Sequence, residues 1–137
     1  GNRNTGKSSL LRYLVNRLIP QFGRVAVLDV DLGQNEFTPP GYVSLTITDT
    51  PLFSAPFAHI AWPTVFWFWH GDKTPRQDPA GYLATIAHAC RTWHADYAHV
   101  PLLVNTAGWT HGFGLELLSD LVATLAPAAC VAMTYPD

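Results

Sequence analysis

The chain has 137 residues, of which 48 % are hydrophobic, 12 % aromatic and 13 % charged, a balance that suits one compact core and excludes a disordered chain. Eight Lys and Arg against ten Asp and Glu leave a net charge of −2, so no basic stripe can hold a long nucleic acid by phosphate neutralisation alone. The richest apolar run, residues 65–69, is far too short to span a bilayer, and no basic-then-apolar leader opens the chain; a soluble protein with no membrane association is expected.

In chain order, Leu10, Leu14 and Leu18 repeat at i+4 with Leu11, Val15 and Ile19 alongside, which predicts an amphipathic helix over residues 7–19 stopped by Pro20. After the Gly23 turn, the apolar run 25–28 ends in Asp29-Val30-Asp31, as a parallel strand buried on both faces would. Residues 35–41 form a loop, because Pro39-Pro40-Gly41 forbids regular structure. Residues 42–48 alternate, with Val43, Leu45 and Ile47 on one face of a half-buried strand. Pro51, Pro56 and Pro63 punctuate an irregular stretch before an aromatic, β-branched strand at 64–69, and residues 71–79 return to loop.

Pro79 suits a first helical turn, and Leu83, Ile86, Ala87, Cys90, His94 and Tyr97 continue a helix to about residue 98. A buried strand at 102–104 and a glycine-punctuated loop at 107–114 follow. A last helix is expected to bury Leu115, Leu118, Val122 and Leu125, and residues 129–133 to form a closing strand. Alternating strands and helices define an α/β fold with a mostly parallel sheet flanked by helices. Cys90 and Cys130 show no zinc or redox spacing and read as buried thiols of a reduced intracellular setting.

Gly1-Asn2-Arg3-Asn4-Thr5-Gly6-Lys7-Ser8 fits the phosphate-loop pattern G-x-x-x-x-G-K-[ST] at every fixed position, and a helix begins where the pattern requires one. Residues 1–9, with Ser9 at the end, are therefore the candidate nucleotide cradle of a P-loop NTPase-type fold. Glycines let backbone amides turn toward the β-phosphate, Lys7 reaches the β- and γ-phosphates, and the Ser8 hydroxyl suits Mg²⁺. The pattern normally follows a strand, so a fragment with its first strand missing is expected. No Asn/Thr-Lys-x-Asp element that would read guanine occurs, which favours ATP over GTP.

Asp29 and Asp31 are two apart at a strand end, so both side chains are expected to face the phosphate site. One carboxylate can orient Mg²⁺ through water, and the other can accept a proton from an attacking hydroxyl; Asp31 is the stronger candidate for metal and catalysis. Gln34, after Gly33, can orient a nucleophile or a metal-bound water. The six histidines form no ligand set and read as surface or satisfied core residues, with His111 the one weak substrate-site candidate. Trp62, Trp67, Trp69 and Trp93 fall in strand or helix patterns and are expected in the core.

With these residues placed, the chain resembles the nucleolar polynucleotide 5′-hydroxyl kinase family of pre-ribosomal RNA processing, a sister of the RNA kinase subunit of the pre-mRNA cleavage factor. The resemblance rests on Gly6-Lys-Ser-Ser-Leu-Leu-Arg-Tyr-Leu14, Asp29-Val-Asp-Leu-Gly-Gln-Asn-Glu-Phe-Thr-Pro-Pro-Gly41 and Gly71-Asp-Lys-Thr-Pro75. A fourth block is Asn105-Thr-Ala-Gly-Trp-Thr-His-Gly-Phe-Gly-Leu-Glu-Leu117. It implies transfer of the ATP γ-phosphate to the 5′-hydroxyl of RNA, with Lys7, Ser8 and Asp31 in the phosphate, metal and catalytic-acid positions. Trp109 matches a family tryptophan at the substrate site, where an indole stacks on the terminal base.

The resemblance also implies a nuclear, nucleolar location and protein partners in an RNA-processing complex. The kinase core is expected to span residues 1–137, with a β-rich domain, an arginine-bearing lid and a C-terminal domain outside it; Arg3, Arg76 and Arg91 do not match the lid. The rival readings are a non-catalytic ATP-binding scaffold in such a complex and a hydrolytic phosphate-loop switch.

Overall fold

The computed structural model describes residues 4–60 and 62–134. Three helices, α1 (Lys7–Phe22), α2 (Pro79–Asp96) and α3 (Phe113–Leu125), flank strands β1 (Val25–Asp29), β2 (Tyr42–Thr48), β3 (Thr64–Trp69) and β4 (Leu102–Asn105). The sheet order is β3-β2-β1-β4, and every residue of β1 is buried because α1 covers one face while α2 and α3 cover the other. Val25 and Val27 meet Leu11 and Val15 of α1. Ala26 and Leu28, pointing the opposite way, meet Tyr82, Ile86 and Ala89 of α2 and Leu117 and Leu121 of α3.

The α/β layering agrees with the sequence reading, whereas the strand directions differ from it. Only β1 and β4 pair in parallel; β1–β2 and β2–β3 are antiparallel, so the described sheet is mixed rather than mostly parallel. Among the described residues the connections at 30–41 and 49–63 contain no α-helix, and without such a crossover each strand returns beside its predecessor. Both strands of the parallel pair end on the same side of the molecule.

Five local expectations change. Helix α1 runs past Pro20 to Phe22: the proline removes one amide near the end of the helix, and Gly23, at φ 75°, closes the last turn through its N–H to Ile19 O at 2.8 Å. Helix α3 buries Gly114, Leu117 and Leu121 and leaves Leu115 and Val122 exposed, so its inward face is rotated from the one expected. Residues 129–133 form no strand; this segment instead brings Met133 to 3.5 Å from where a Cβ on Gly6 would stand. Trp67 and Trp69 lie 63 % and 62 % exposed on the edge strand β3, while Trp62 and Trp93 pack against the two cores as expected. Cys90 is half-buried, and Cys130 is exposed rather than buried because the segment that follows α3 joins no sheet that would cover it; both are free. No described helix is long and apolar enough to cross a membrane.

Candidate active site

The start of α1 has the form a phosphate cradle needs. Asn4 and Gly6 both take positive φ, 60° and 87°, which curls the backbone immediately before the helix. Gly6 offers no capping side chain, and the first turn carries no acidic residue. A helix of 16 residues thus presents first-turn amides and its positive dipole end with no acidic residue of its own in that turn. Lys7 and Ser8 sit half-buried on that first turn, with Ser9 exposed beside them. These residues fit a triphosphate. Gly1, Asn2 and Arg3, assigned above to the cradle, lie outside the described residues.

The two aspartates have different environments. Asp29 is wholly buried and wrapped by donors: Oδ1 accepts from Asp31 N at 3.1 Å and Asn105 Nδ2 at 3.0 Å, and Oδ2 from Glu36 N at 2.7 Å. Burial nevertheless dominates and pushes its pKa up to about 7; the three donors and the neighbouring Asp31 charge are smaller effects. Asp29 and Asn105 are register partners across the parallel β1–β4 pair, so their bond joins the two strand ends. Asp29 is therefore a structural anchor rather than a second group facing the phosphates.

Asp31, half-buried just past the strand, starts a tight turn in which its Oδ1 accepts from Gly33 N at 2.9 Å and Gln34 N at 3.2 Å. Among the described residues nothing hydrogen-bonds to its Oδ2, which leaves one oxygen for chemistry. The turn abuts the 71–76 loop: a Cβ on Gly33 would lie 3.4 Å from Asp31 Oδ1 and 3.9 Å from Lys73 O. Tyr82, whose hydroxyl donates to Val30 O at 2.8 Å, has its pKa raised by burial and by the nearby Asp31 and Asp29 carboxylates, so it stays protonated. Gln34 is exposed on the same turn.

From β4 the chain continues into the loop carrying Trp109, half-buried, which lines a crevice with Val30, Leu32, Lys73, Tyr82 and Leu117. Its indole lies against Gly114, where a Cβ would fall 2.3 Å from Cγ of the ring, so glycine is required there. Phe113 meets the ring edge at 5.6 Å between centroids, and the Arg76 guanidinium carbon sits 4.7 Å from the ring centroid. The carboxyl ends of β1 and β4 thereby bring the Asp31 turn, the 71–76 loop and Trp109 to one cleft, the usual ligand position of an open α/β sheet.

Sequence reasoning assigned no role to the residues that hold this cleft. Glu36, 3 % exposed, accepts from Arg12 Nε at 3.0 Å and Nη2 at 3.1 Å, and its Oε1 bonds His59 Nδ1 at 2.8 Å. Helix α1 is thus tied to the loop that follows Asp31. Asn35 pins the same loop: its Nδ2 donates to Tyr42 O at 3.2 Å, and its Oδ1 accepts from Phe37 N at 3.1 Å and Ser44 Oγ at 3.1 Å. Glu36 and Asn105 both stand in the sequence blocks quoted above, but their partners are 24 and 76 residues away, beyond any local pattern. His59 is a satisfied core histidine, and His111 is exposed, bonded to Thr110 Oγ1 at 3.3 Å.

Residues 1–137 match the family model described as mRNA cleavage and polyadenylation factor CLP1 P-loop. The chain is similar to the polynucleotide 5′-hydroxyl-kinase grc3 of Schizosaccharomyces pombe, 37 % identical over all of this chain and 20 % of that protein. It is 36 % identical to the polynucleotide 5′-hydroxyl-kinase NOL9 of Arabidopsis thaliana over 96 % of this chain and 38 % of that one. The corresponding protein of Homo sapiens is 35 % identical over 96 % of this chain and 18 % of its own length. The chain therefore spans between 18 and 38 % of the length of these relatives.

Proposed function

The chain belongs to the CLP1 P-loop family, and we propose that it is the phosphotransfer core of a polynucleotide 5′-hydroxyl kinase that uses ATP and acts on RNA. The features that carry this reading are a phosphate-loop helix with no side chain capping its start and, just past the end of β1, the half-buried Asp31 carboxylate, whose Oδ2 takes no hydrogen bond among the described residues. A cleft lined on its far side by an indole suits a terminal nucleobase, and stacking adds about 1–3 kcal/mol per base. Such an indole gives an acceptor site that does not depend on a basic surface, in keeping with the low charge of the chain. The relatives named as polynucleotide 5′-hydroxyl-kinases support the same acceptor class. By the same resemblance, the setting is pre-ribosomal RNA processing in the nucleolus, with protein partners in an RNA-processing complex.

In this mechanism the α1 amides and Lys7 hold the phosphates and neutralise charge as the γ-phosphoryl group leaves. Asp31 accepts the proton of the attacking 5′-hydroxyl at Oδ2 while its Oδ1 stays fixed by the turn amides. Gln34 orients the acceptor oxygen, and Trp109 holds the terminal base so that attack is in line. Ser8 and Asp31 are the residues that would hold Mg²⁺, which supplies further charge neutralisation on the phosphates when bound.

Asp31→Asn in the full-length protein is expected to leave ATP affinity within about threefold of wild type and to lower transfer to a 5′-hydroxyl oligonucleotide by about 10²–10⁴. Near-normal transfer by this variant removes Asp31 from the mechanism. Wild-type protein that binds ATP and yields no single-turnover transfer is instead a scaffold.

A further inference from the structure

Six of the eight Lys and Arg residues lie away from the acceptor side of the cleft or outside the described residues. Lys7 is in the phosphate loop, Arg12 is committed to Glu36, Arg17 and Arg91 are on helices, and Arg24 stands at the opposite end of β1. Lys73 and Arg76 are the exceptions. They project from one loop, both exposed, between the Asp31 turn and the Trp109 indole.

The state of Arg76 is informative. Asp72 and Asp78 share its loop, yet among the described residues Arg76 makes no ion pair and no hydrogen bond. Asp72 accepts from Lys73 N, and Asp78 caps α2 through Gly81 N at 2.8 Å. The guanidinium rests instead over Trp109, 4.7 Å from the ring centroid. That contact orients the cation without using any of its five N–H donors, which match a phosphate in geometry and charge.

We propose that Arg76 is a polynucleotide-binding residue: seated over Trp109, it takes a backbone phosphate of the acceptor strand, with Lys73 as the second cation of the same ridge. The assignment rests on the kinase reading and deepens it by giving the acceptor strand a phosphate contact on the guanidinium beside the indole.

The test is binding, not turnover, in the full-length protein. A 5′-hydroxyl oligoribonucleotide is titrated against wild type, Arg76→Gln and Arg76→Lys over a range of salt concentrations, with ATP affinity and the thermal midpoint measured alongside. Arg76→Gln is expected to weaken oligonucleotide binding about tenfold and to reduce the slope of log K against log salt by about 0.7, while ATP affinity is unchanged. Arg76→Lys is expected to keep the slope and lose part of the affinity. Oligonucleotide affinity within about twofold of wild type in Arg76→Gln overturns the proposal. So does weaker binding with an unaltered salt slope, which would make Arg76 a packing partner of Trp109 only. Wild-type protein that binds ATP but no 5′-hydroxyl oligonucleotide overturns the kinase reading itself, and this inference with it.

Discussion

Asp29 is the point at which a single substitution reads out the electrostatics of the cleft. Its carboxyl is wholly buried at the junction of β1 and β4, and its pKa is raised from 3.8 to about 7. The folded protein therefore holds this proton more tightly than the unfolded chain, and stability falls as pH rises from the unfolded value through the folded one. At one pKa unit per 1.36 kcal/mol, saturation included, the loss between about pH 5 and about pH 8 is about 2–3 kcal/mol. Asp29→Asn removes the titration and also one acceptor, because an amide nitrogen cannot receive Glu36 N–H. The variant is thus expected to be the less stable protein at acid pH and to draw level with wild type as pH rises. Amide exchange of peptides covering 25–29 and 102–105, corrected for intrinsic rates, measures this locally in the full-length protein. The expected wild-type minus variant difference is about two decades of protection lost across that pH range. A difference that is flat or grows with pH refutes the reasoning.

Glu36→Gln breaks a part-buried fork to Arg12 and weakens the buried bond to His59; exchange protection in α1 should fall by the equivalent of about 1.5–3 kcal/mol, and a loss under about 0.5 kcal/mol would show the cluster to be dispensable. Gly114→Ala places a methyl inside the Trp109 ring and should displace the indole, lowering oligonucleotide affinity about tenfold or more with ATP affinity unchanged, as measured by parallel titrations. Equal losses for the two ligands would instead mean that the whole cleft has moved.

The elements of this fold were largely legible, and the reasons are local. Residues 25–28 are apolar without interruption because two layers cover them, and residues 42–48 alternate because the sheet is pleated. Strand direction was not legible, since it depends on whether a connection folds as a helix, and a loop such as 30–41 carries no mark of the partner it returns to. Trp67 and Trp69 read as core because β-rich aromatic runs usually are; their exposure follows from β3 being an edge, a property of the whole sheet. At the site, the phosphate loop and Asp31 stood out because their chemistry is encoded in contiguous residues. Asn105, Glu36 and Arg76 did not, because each acquires its role only from a partner that folding brings near.

The bond between Asn105 and Asp29 has a mechanical consequence. One carboxylate fastens the Asp31 turn, through Asp31 N and Glu36 N, to the strand that leads into Trp109. The two banks of the cleft are riveted at their base, so on the proposed reading a strand end would be admitted without prying β1 from β4. Any motion that widens the cleft falls to the outer tips of the loops, while the floor beneath them keeps its spacing.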